Sequence, residues 1–571
     1  MKKIKSYILI ALMGLAVTSC KDFLTLMPLN EVVLENFWTN KADVESVLMG
    51  AYGALESSDC IVRMSIWGEM RSDNIVGSSS NSDSDTGDDI VQITKDNILQ
   101  TNSYTSYLCF YKVINYANTV LHFAPQVAEK DPNYTEAELK GNKAEAIALR
   151  ALCYWYLIRA YKDVPYTTIP SIDDTHDFFI GQTGFDAILD SLITDLVYVR
   201  DKNWPINRYS MTEYNTTRFT RTSINAMLAD MYLWKGEWQK CIDCCEQVTA
   251  RKYDEYLEKK RKEQKNCTVM LFENKYPLIT ETPTGATCGN AYNETFGKGG
   301  SFEVLLELPF DQDKKNPFVS DYYNDENSKS KKLKAYSAIS NGFGTGSGNS
   351  VFIQPYDVRY YQNVYGQDGG ITKYVFEKME YNMSDGQIAD QKTFTVRKQS
   401  SPNWIIYRYT DVLLMEAEAK VMLAKELGAD TASASASGAL LDEAFELVKV
   451  VNNRAICKST YADAKELKKE DYIGSIKQME ELVLAERRRE LMFEGKRWFD
   501  LVRMARRDGD TQRLVQKVVS KLDGSAQSAF QIKMLDMNAL YFPINKDELK
   551  INDKLVQNPV YVEDEYVEKA K

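Results

Sequence analysis

The sequence has little histidine. His122 and His176 are its only two in 571 residues. Catalysis that depends on an imidazole, as base, nucleophile partner or zinc ligand, has little to draw on. No G-x-S-x-G, P-loop, H-E-x-x-H or doubled C-x-x-C pattern occurs, so those routes to acyl transfer, phosphate binding and metal chemistry are missing. Net positive charge is lacking too. The formal charge is −11, which argues against a polyanionic partner for the whole molecule, since phosphate binding needs an excess of Lys and Arg on the binding face. Beyond the N-terminus no stretch is long and apolar enough to cross a bilayer core of ~30 Å.

Ten cysteines are present without a framework spacing that would staple a small fold. Cys241, Cys244 and Cys245 cluster in "KCIDCCEQV". A tetrahedral metal site needs four ligands, and neither histidine is near. On a helix Cys241 and Cys245 share a face, so the expectation is buried thiols, no metal and no cofactor. A paired-carboxylate glycosidase is not excluded by motif, because 81 acidic residues offer many pairs, but no spacing favours one.

What is present begins with "MKKIKSYILIALMGLAVTSCKDF". Lys2, Lys3 and Lys5 precede an apolar run from Tyr7 to Val17, the pattern of a signal peptide over 1–19. "VTSC" resembles a lipobox, with small residues before Cys20, the residue that would be lipidated. "KDF" after it resembles the export tag of surface lipoproteins in Bacteroidetes-type bacteria. The body is then expected to be held at the membrane by acyl chains.

Helical periodicity dominates "LKGNKAEAIALRALCYWYLIRAYKDVPY" (139–166), "RTSINAMLADMYLWKGEWQKCIDCCEQVTARKYD" (221–254, two helices joined at Gly236) and "YRYTDVLLMEAEAKVMLAKELG" (407–428). The last is followed by "TASASASG", read as a flexible linker, and by "ALLDEAFELVKVVNNRA". Ala226, Ala229, Tyr232, Gly236 and Trp238 follow the spacing of a tetratricopeptide repeat, in which small residues let helices approach and glycine makes the turn. Between 255 and 400 the character changes to glycine-rich loops and short strand-like pieces, "SFEVLLEL" and "ITKYVFEKM". From Tyr292 to Phe376, 16 of 85 residues are aromatic, denser than the 11% of the chain. Aromatic loops on a rigid helical scaffold suit a binding surface for neutral polar ligands.

"ERRRELMFEGKRWFDLVRMARR" (486–507) looks like an arginine-rich grip on nucleic acid. It carries eight basic and four acidic residues. As one helix, its charges pair at three-residue steps: Glu486 with Arg489, Arg487 with Glu490, Glu494 with Arg497, and Asp500 with Arg497 and Arg503. Exposed pairs of this kind contribute only ~0.2–0.5 kcal/mol each, but they leave no bare basic face. Leu484, Leu491, Trp498, Val502 and Ala505, widened by Met492 and Phe499, form the apolar stripe. Gly495 falls inside the stripe, where a neighbouring backbone can come close. Arg488 falls inside it too and is predicted to be buried and paired with a carboxylate or carbonyls.

Taken in order, "CKDFLTLMPLNEVVLENFWTNKADVESVLMGAYGAL", "WGEMRSDN", "YKVINYANTVL", "EAIALRALCYWYLIRAYKDVP", "YRYTDVLLMEAEA", "ERRRELMFEGKRWFDLVR" and "LYFPINKDELKINDKLVQNP" make the chain resemble the SusD/RagB family nearly end to end. The resemblance implies a mostly α fold of about four tetratricopeptide-like helical hairpins with an irregular, loop-rich ligand-binding subdomain and few short strands. It divides the chain into the leader (1–19), an N-terminal helical region (20–250), an aromatic-rich insertion (251–400) and a C-terminal region with the last helical pair and the signature helix (401–571). It implies a non-enzymatic receptor on the outer-membrane surface that passes oligosaccharides, or peptides in the RagB-like branch, to a TonB-dependent SusC-like β-barrel transporter, with no nucleic-acid partner. A surface glycosidase and a pure scaffold are the competing readings. The motifs are frame, so Arg488, Gly495 and Trp498 are expected to be structural. Ligand contacts are sought in loops, at Tyr104, Tyr292, Tyr322, Tyr323 and Tyr356.

Overall fold

The computed structural model describes residues 37–77, 88–172, 179–281, 287–323, 332–341, 351–352, 356–365, 369–384, 387–397, 401–428, 434–457 and 466–562. The leader, Cys20 and His176 lie outside the described residues.

The fold is mostly helical with few short strands. Its longer helices are α1 (Lys41–Leu55), α2 (Ser58–Ser65), α3 (Leu108–Lys130), α4 (Glu136–Tyr161), α5 (Phe185–Asp201), α6 (Arg221–Lys235), α7 (Trp238–Glu263), α8 (Tyr409–Leu427), α9 (Ala434–Ala455), α10 (Ile476–Leu491) and α11 (Arg497–Asp508). Local chemistry sets their starts. Asn40 with Asp43, Thr135 with Glu138 and Thr220 with Ser223 each close a reciprocal box that satisfies otherwise orphaned backbone donors. Gly236, at φ +80°, ends α6 in the left-handed conformation and turns the chain into α7.

Consecutive helices pair as hairpins, α3 with α4, α6 with α7 and α8 with α9, and the hairpins stack through α4–α5, α5–α6 and α7–α8 contacts. α4 is buried from Ala144 to Tyr161 apart from Ile147. Its arginines are satisfied across helices: Arg150 donates to Asn118 Oδ1 and Asp195 Oδ2 at 2.9 and 2.8 Å. Cys241, Cys244 and Cys245 are buried on α7, and among the described residues no cluster of His, Cys, Asp or Glu is arranged to hold a metal.

Several boundaries differ from the sequence reading, among them the end of α7, which runs to Glu263 rather than Asp254. The helix expected over 139–166 ends at Tyr161, because Lys162 turns to φ +70° and Val164–Pro165 pair with Gln182–Thr183. The "TASASASG" run is not all linker. α9 starts at Ala434, and buried Ser437 donates to the Ala424 carbonyl at 2.9 Å, tying the two helices together. The signature run is two helices rather than one. The break runs from Met492 to Lys496, with Phe493 at φ +65° and Gly495 at φ +70°.

The insertion carries the main strands. Phe376–Ser384 and Gln387–Val396 form an antiparallel pair, and Val304–Leu308 pairs with Trp404–Arg408, leading directly into α8. A shorter pair, Ile75–Gly77 with Leu333–Ala335, ties the insertion to the segment after "WGEMRSDN".

Candidate functional site

Tyr104 and Tyr322 are brought together from 218 residues apart. Two short capped turns place them. Asn102 Oδ1 accepts the Tyr104 N–H at 3.0 Å and holds the turn Ser103–Thr105. Asn316 Oδ1 accepts the Phe318 N–H at 3.2 Å and starts the helix Pro317–Tyr322. The two hydroxyls lie 2.6 Å apart. Both residues are half-buried and pack against the core. The support is rigid: Trp67 Nε1 donates to the Tyr104 carbonyl at 3.0 Å, Arg63 Nη2 donates to the Ser103 carbonyl at 2.8 Å, and the Phe318 ring lies 5.1 Å from the Tyr322 ring. Burial, and then the hydrogen bond to Tyr322, push the Tyr104 hydroxyl well above the usual phenol range. It stays a neutral donor and acceptor. Asp88, ion-paired with Lys332, and Asp89, which accepts the Ser103 N–H at 2.8 Å, stand beside this pair. Such a platform offers ring faces and hydroxyls to a neutral polar ligand.

The other tyrosine candidates do different work. Tyr292 is 1% exposed, and its hydroxyl donates to the Thr372 and Phe376 carbonyls at 3.3 and 3.2 Å. Tyr323 is also 1% exposed and donates to the Phe493 carbonyl at 2.7 Å. Both are struts inside the fold, and the expectation that they touch ligand is corrected: each ring found a backbone acceptor on a distant segment. Tyr356 is half-buried, and its carbonyl accepts from the Cys457 N–H at 3.0 Å, on a segment that joins the insertion to the end of α9.

The arginine-rich run is largely enclosed. Its eight basic residues are each ion-paired, mostly with carboxylates on other elements. Arg487 holds Asp411 and Asp500, Arg488 and Arg497 share Asp73, Arg489 holds Glu486, and Lys496 holds Asp411. Arg503 holds Glu418 and Asp500, Arg506 holds Asp186, and Arg507 holds Glu418 and Glu480. Glu486–Arg489 and Asp500–Arg503 pair as the sequence predicts. Arg487–Glu490 and the pairings of Arg497 with Glu494 and Asp500 do not form, because better acceptors arrive from Asp411 and Asp73. Apart from Arg506–Asp186, which is exposed, these pairs are largely buried, so the small surface-pair magnitude does not apply to them. Deeper in, Arg359, Lys373, Arg408, Arg454 and Arg489 balance Glu303, Asp357, Glu486, Glu490 and Glu494. The surrounding guanidinium groups hold the Glu490 carboxyl well below the usual carboxylate range against the opposing effect of burial.

Arg488 is paired but not fully buried. Its side chain is 16% exposed and bonds Asn74 Oδ1 at 2.8 Å, the Asp73 carbonyl at 2.6 Å and the Asp73 carboxylate at 3.1 Å. Arg487 and Arg489, placed by the sequence outside the apolar stripe, are the more deeply buried. Gly495 behaves as expected of a close approach. A Cβ built on Gly68 would lie 1.7 Å from the Gly495 carbonyl oxygen, so these backbones touch where no side chain fits. Trp498 is buried, with the Arg71 guanidinium 4.2 Å above its ring.

The chain matches the model described as "SusD family" over residues 201–561, and that described as "Starch-binding associating with outer membrane" over 22–233. It belongs to the SusD family. "SusD-like protein P38" of Formosa agariphila is 25% identical over 589 residues, covering 98% of this chain and 100% of its own. "SusD-like protein P25" of the same organism is 23% identical, covering 88% of this chain and 90% of its own. Among solved structures, a SusD homolog from Bacteroides thetaiotaomicron superposes with a TM-score of 0.62 at 21% identity, over 92% of this chain and 100% of that one. A protein described as a laminarin-binding SusD-like protein superposes with a TM-score of 0.58 at 18% identity, over 91% of this chain and 99% of that one.

In this SusD-family chain, sequence reasoning missed the residues that carry the tyrosine pair: Arg63, Trp67, Asn102 and Asn316. Asn316 immediately before Pro317 is a helix-start signal that could have been read. Arg63 and Trp67 act on a turn some forty residues away; Trp67 opens "WGEMRSDN", a motif read as frame, and no local pattern marks Arg63.

Proposed function

We propose that the protein is a cell-surface glycan-binding lipoprotein, anchored at Cys20 in the outer membrane, that captures oligosaccharides on the Tyr104–Tyr322 platform and hands them to a TonB-dependent SusC-like transporter without cleaving them. The observation that carries this reading is the half-buried tyrosine pair, whose turns are held by Trp67, Arg63 and Asn316 and whose hydroxyls are 2.6 Å apart. Flat aromatic faces suit the C–H faces of sugar rings, and paired neutral hydroxyls suit sugar hydroxyls. Membership of the SusD family, one matching description of which is starch-binding with outer-membrane association, supports the ligand class and the location. A structural neighbour described as laminarin-binding supports it further.

The test is a binding panel. The purified protein is titrated calorimetrically with neutral oligosaccharides, acidic oligosaccharides and peptides, and each mixture is then checked for cleavage products. Binding of at least one glycan with no product released is expected. Binding of peptides alone overturns the glycan reading, and product release makes the protein an enzyme. For the anchor, Cys20→Ala is expected to move the protein from the membrane fraction to the soluble fraction. Surface labelling that persists in that variant contradicts lipid anchoring.

A further inference from the structure

A cleft of about 270 Å³ opens beside the clamp between "WGEMRSDN" and the arginine run, lined among others by Tyr336, Glu481, Arg488, Arg489 and Lys517. Its charge balance differs from the rest of the ion-pair array. The deeper set around Glu490 pairs cation with carboxylate in equal number. At Asp73 one carboxylate serves two guanidinium groups, those of Arg488 and Arg497. Arg488 is the more exposed of the two and lines the cleft. Lys517, partly exposed, has Glu481 at 2.7 Å and shares it with Arg513, which is also held by Glu480 and Asp508. Burial pushes the Arg488 guanidinium down to about 10, and Arg497 beside it adds to that shift while Asp73 opposes it. The group remains a cation at neutral pH, and among the lining residues Arg488, Arg489, Arg497 and Lys517 outnumber the carboxylates Asp73 and Glu481. The Tyr336 hydroxyl donates to the Ser520 carbonyl at 2.7 Å, which leaves its oxygen lone pairs and ring edge at the rim.

The cleft's position connects it to the tyrosine platform. The strand pair Ile75–Gly77 with Leu333–Ala335 runs between them. At one end Tyr336 N–H donates to the Asn74 carbonyl, next to Arg488's own partner Asn74 Oδ1. At the other end Lys332 pairs with Asp88, and Asp89 holds the Ser103–Thr105 turn that carries Tyr104. From Lys332 to Tyr336 the extended chain spans roughly 13 Å at ~3.3 Å per residue. That is a reach of a few sugar rings.

We infer that this cleft is an anion subsite, and that the glycan captured at the tyrosine platform is an acidic one whose carboxylate or sulfate group is received by Arg488 and Lys517. The inference rests on the glycan-binding reading and narrows it. Guanidinium and ammonium groups that outnumber the carboxylates lining the same concave, partly desolvated cleft bind such groups with charge-assisted hydrogen bonds. The molecule's overall negative charge makes a local positive cleft selective: an acidic chain is repelled elsewhere and admitted here.

The experiment titrates the purified protein with oligogalacturonate and its methyl ester, and with a sulfated oligosaccharide and its desulfated form. The expected result is that one acidic form binds at least about tenfold tighter than its neutral counterpart, with a preference that weakens as salt is raised. Which pair shows the difference separates carboxylate from sulfate. Lys517→Gln, at a rim position outside the buried array, is expected to lower that affinity severalfold while leaving binding of the neutral form and thermal stability unchanged. Equal binding of acidic and neutral forms overturns the anion subsite and leaves the glycan reading standing. So does a Lys517→Gln variant that keeps the full preference. An acidic peptide bound as tightly as the acidic glycan overturns the assignment to a sugar acid. Binding of no glycan in either form overturns both readings.

Discussion

Asp73 grips Arg497 with both carboxylate oxygens, at 2.8 and 3.0 Å, across 424 residues of chain. The same stretch sends Glu69 to the break between α10 and α11, where it accepts the Phe493 and Lys496 N–H groups, each at 3.2 Å. The N-terminal region is thereby locked onto the C-terminal helices next to the turns that carry the tyrosine platform. Arg488 and Arg497 hold the Asp73 carboxyl well below the usual carboxylate range, more than offsetting its burial.

Asp73→Asn is predicted to destabilise the protein by about 3–5 kcal/mol, because it leaves Arg497 buried without its counter-charge. Chemical denaturation followed by tryptophan fluorescence checks this. A loss below about 1 kcal/mol would mean that the clamp is not a major contributor.

Gly68→Ala is predicted to cost about 3 kcal/mol or more, because the added methyl falls inside the van der Waals radius of the Gly495 carbonyl oxygen. A matched control is Gly53→Ala, where nothing lies within 4 Å of the added Cβ. Thermal melting should separate the two. Equal melting temperatures would contradict the close approach.

Lys521 sets a pH dependence. It is buried, its Nζ donates to the Met70 and Ile75 carbonyls at 3.1 Å each, and burial pushes its pKa down to about 7 against an unfolded value near 10.5. Between those values the unfolded chain holds a proton that the folded one has released. Unfolding therefore takes up protons, and this group's contribution to stability rises with pH from about 7 to about 10.5. It is lowest below pH 7. Lys521→Met should flatten the slope of stability against pH in that window. An unchanged slope would remove Lys521 as its source.

The two classes of tyrosine should separate experimentally. Tyr323→Phe is predicted to lose about 1 kcal/mol of stability, since it leaves the buried Phe493 carbonyl without its donor. Ligand affinity should be affected little. Tyr322→Ala should show the reverse, with glycan affinity down about tenfold and the melting temperature nearly unchanged.

Periodicity made the helical scaffold legible. The hairpin at Gly236 was readable because its small residues, its tyrosine and its turn glycine all lie within one local stretch. The environment of the arginine run was not readable. A helical stripe places Arg488 inside and Arg487 outside, but α10 is covered on its polar side by Asp411 from α8 and by Arg359 from the insertion. Those partners are more than seventy residues away in sequence, and they reverse the order of burial. The same limit applies to the tyrosines. Tyr322 and Tyr323 are adjacent in one aromatic stretch, yet one hydroxyl meets the half-buried Tyr104 hydroxyl and the other a backbone carbonyl 170 residues away. Loop composition identifies the region; long-range pairing decides which ring is free to bind.

The most direct test is calorimetric titration of the purified protein and of its Tyr104→Ala, Tyr322→Ala double variant with the best ligand of the glycan panel. The account predicts saturable binding by the unmodified protein and a loss of about a hundredfold or more in the double variant, with both proteins melting at similar temperatures. Undiminished binding in a folded double variant would contradict the platform as the place where ligand is held.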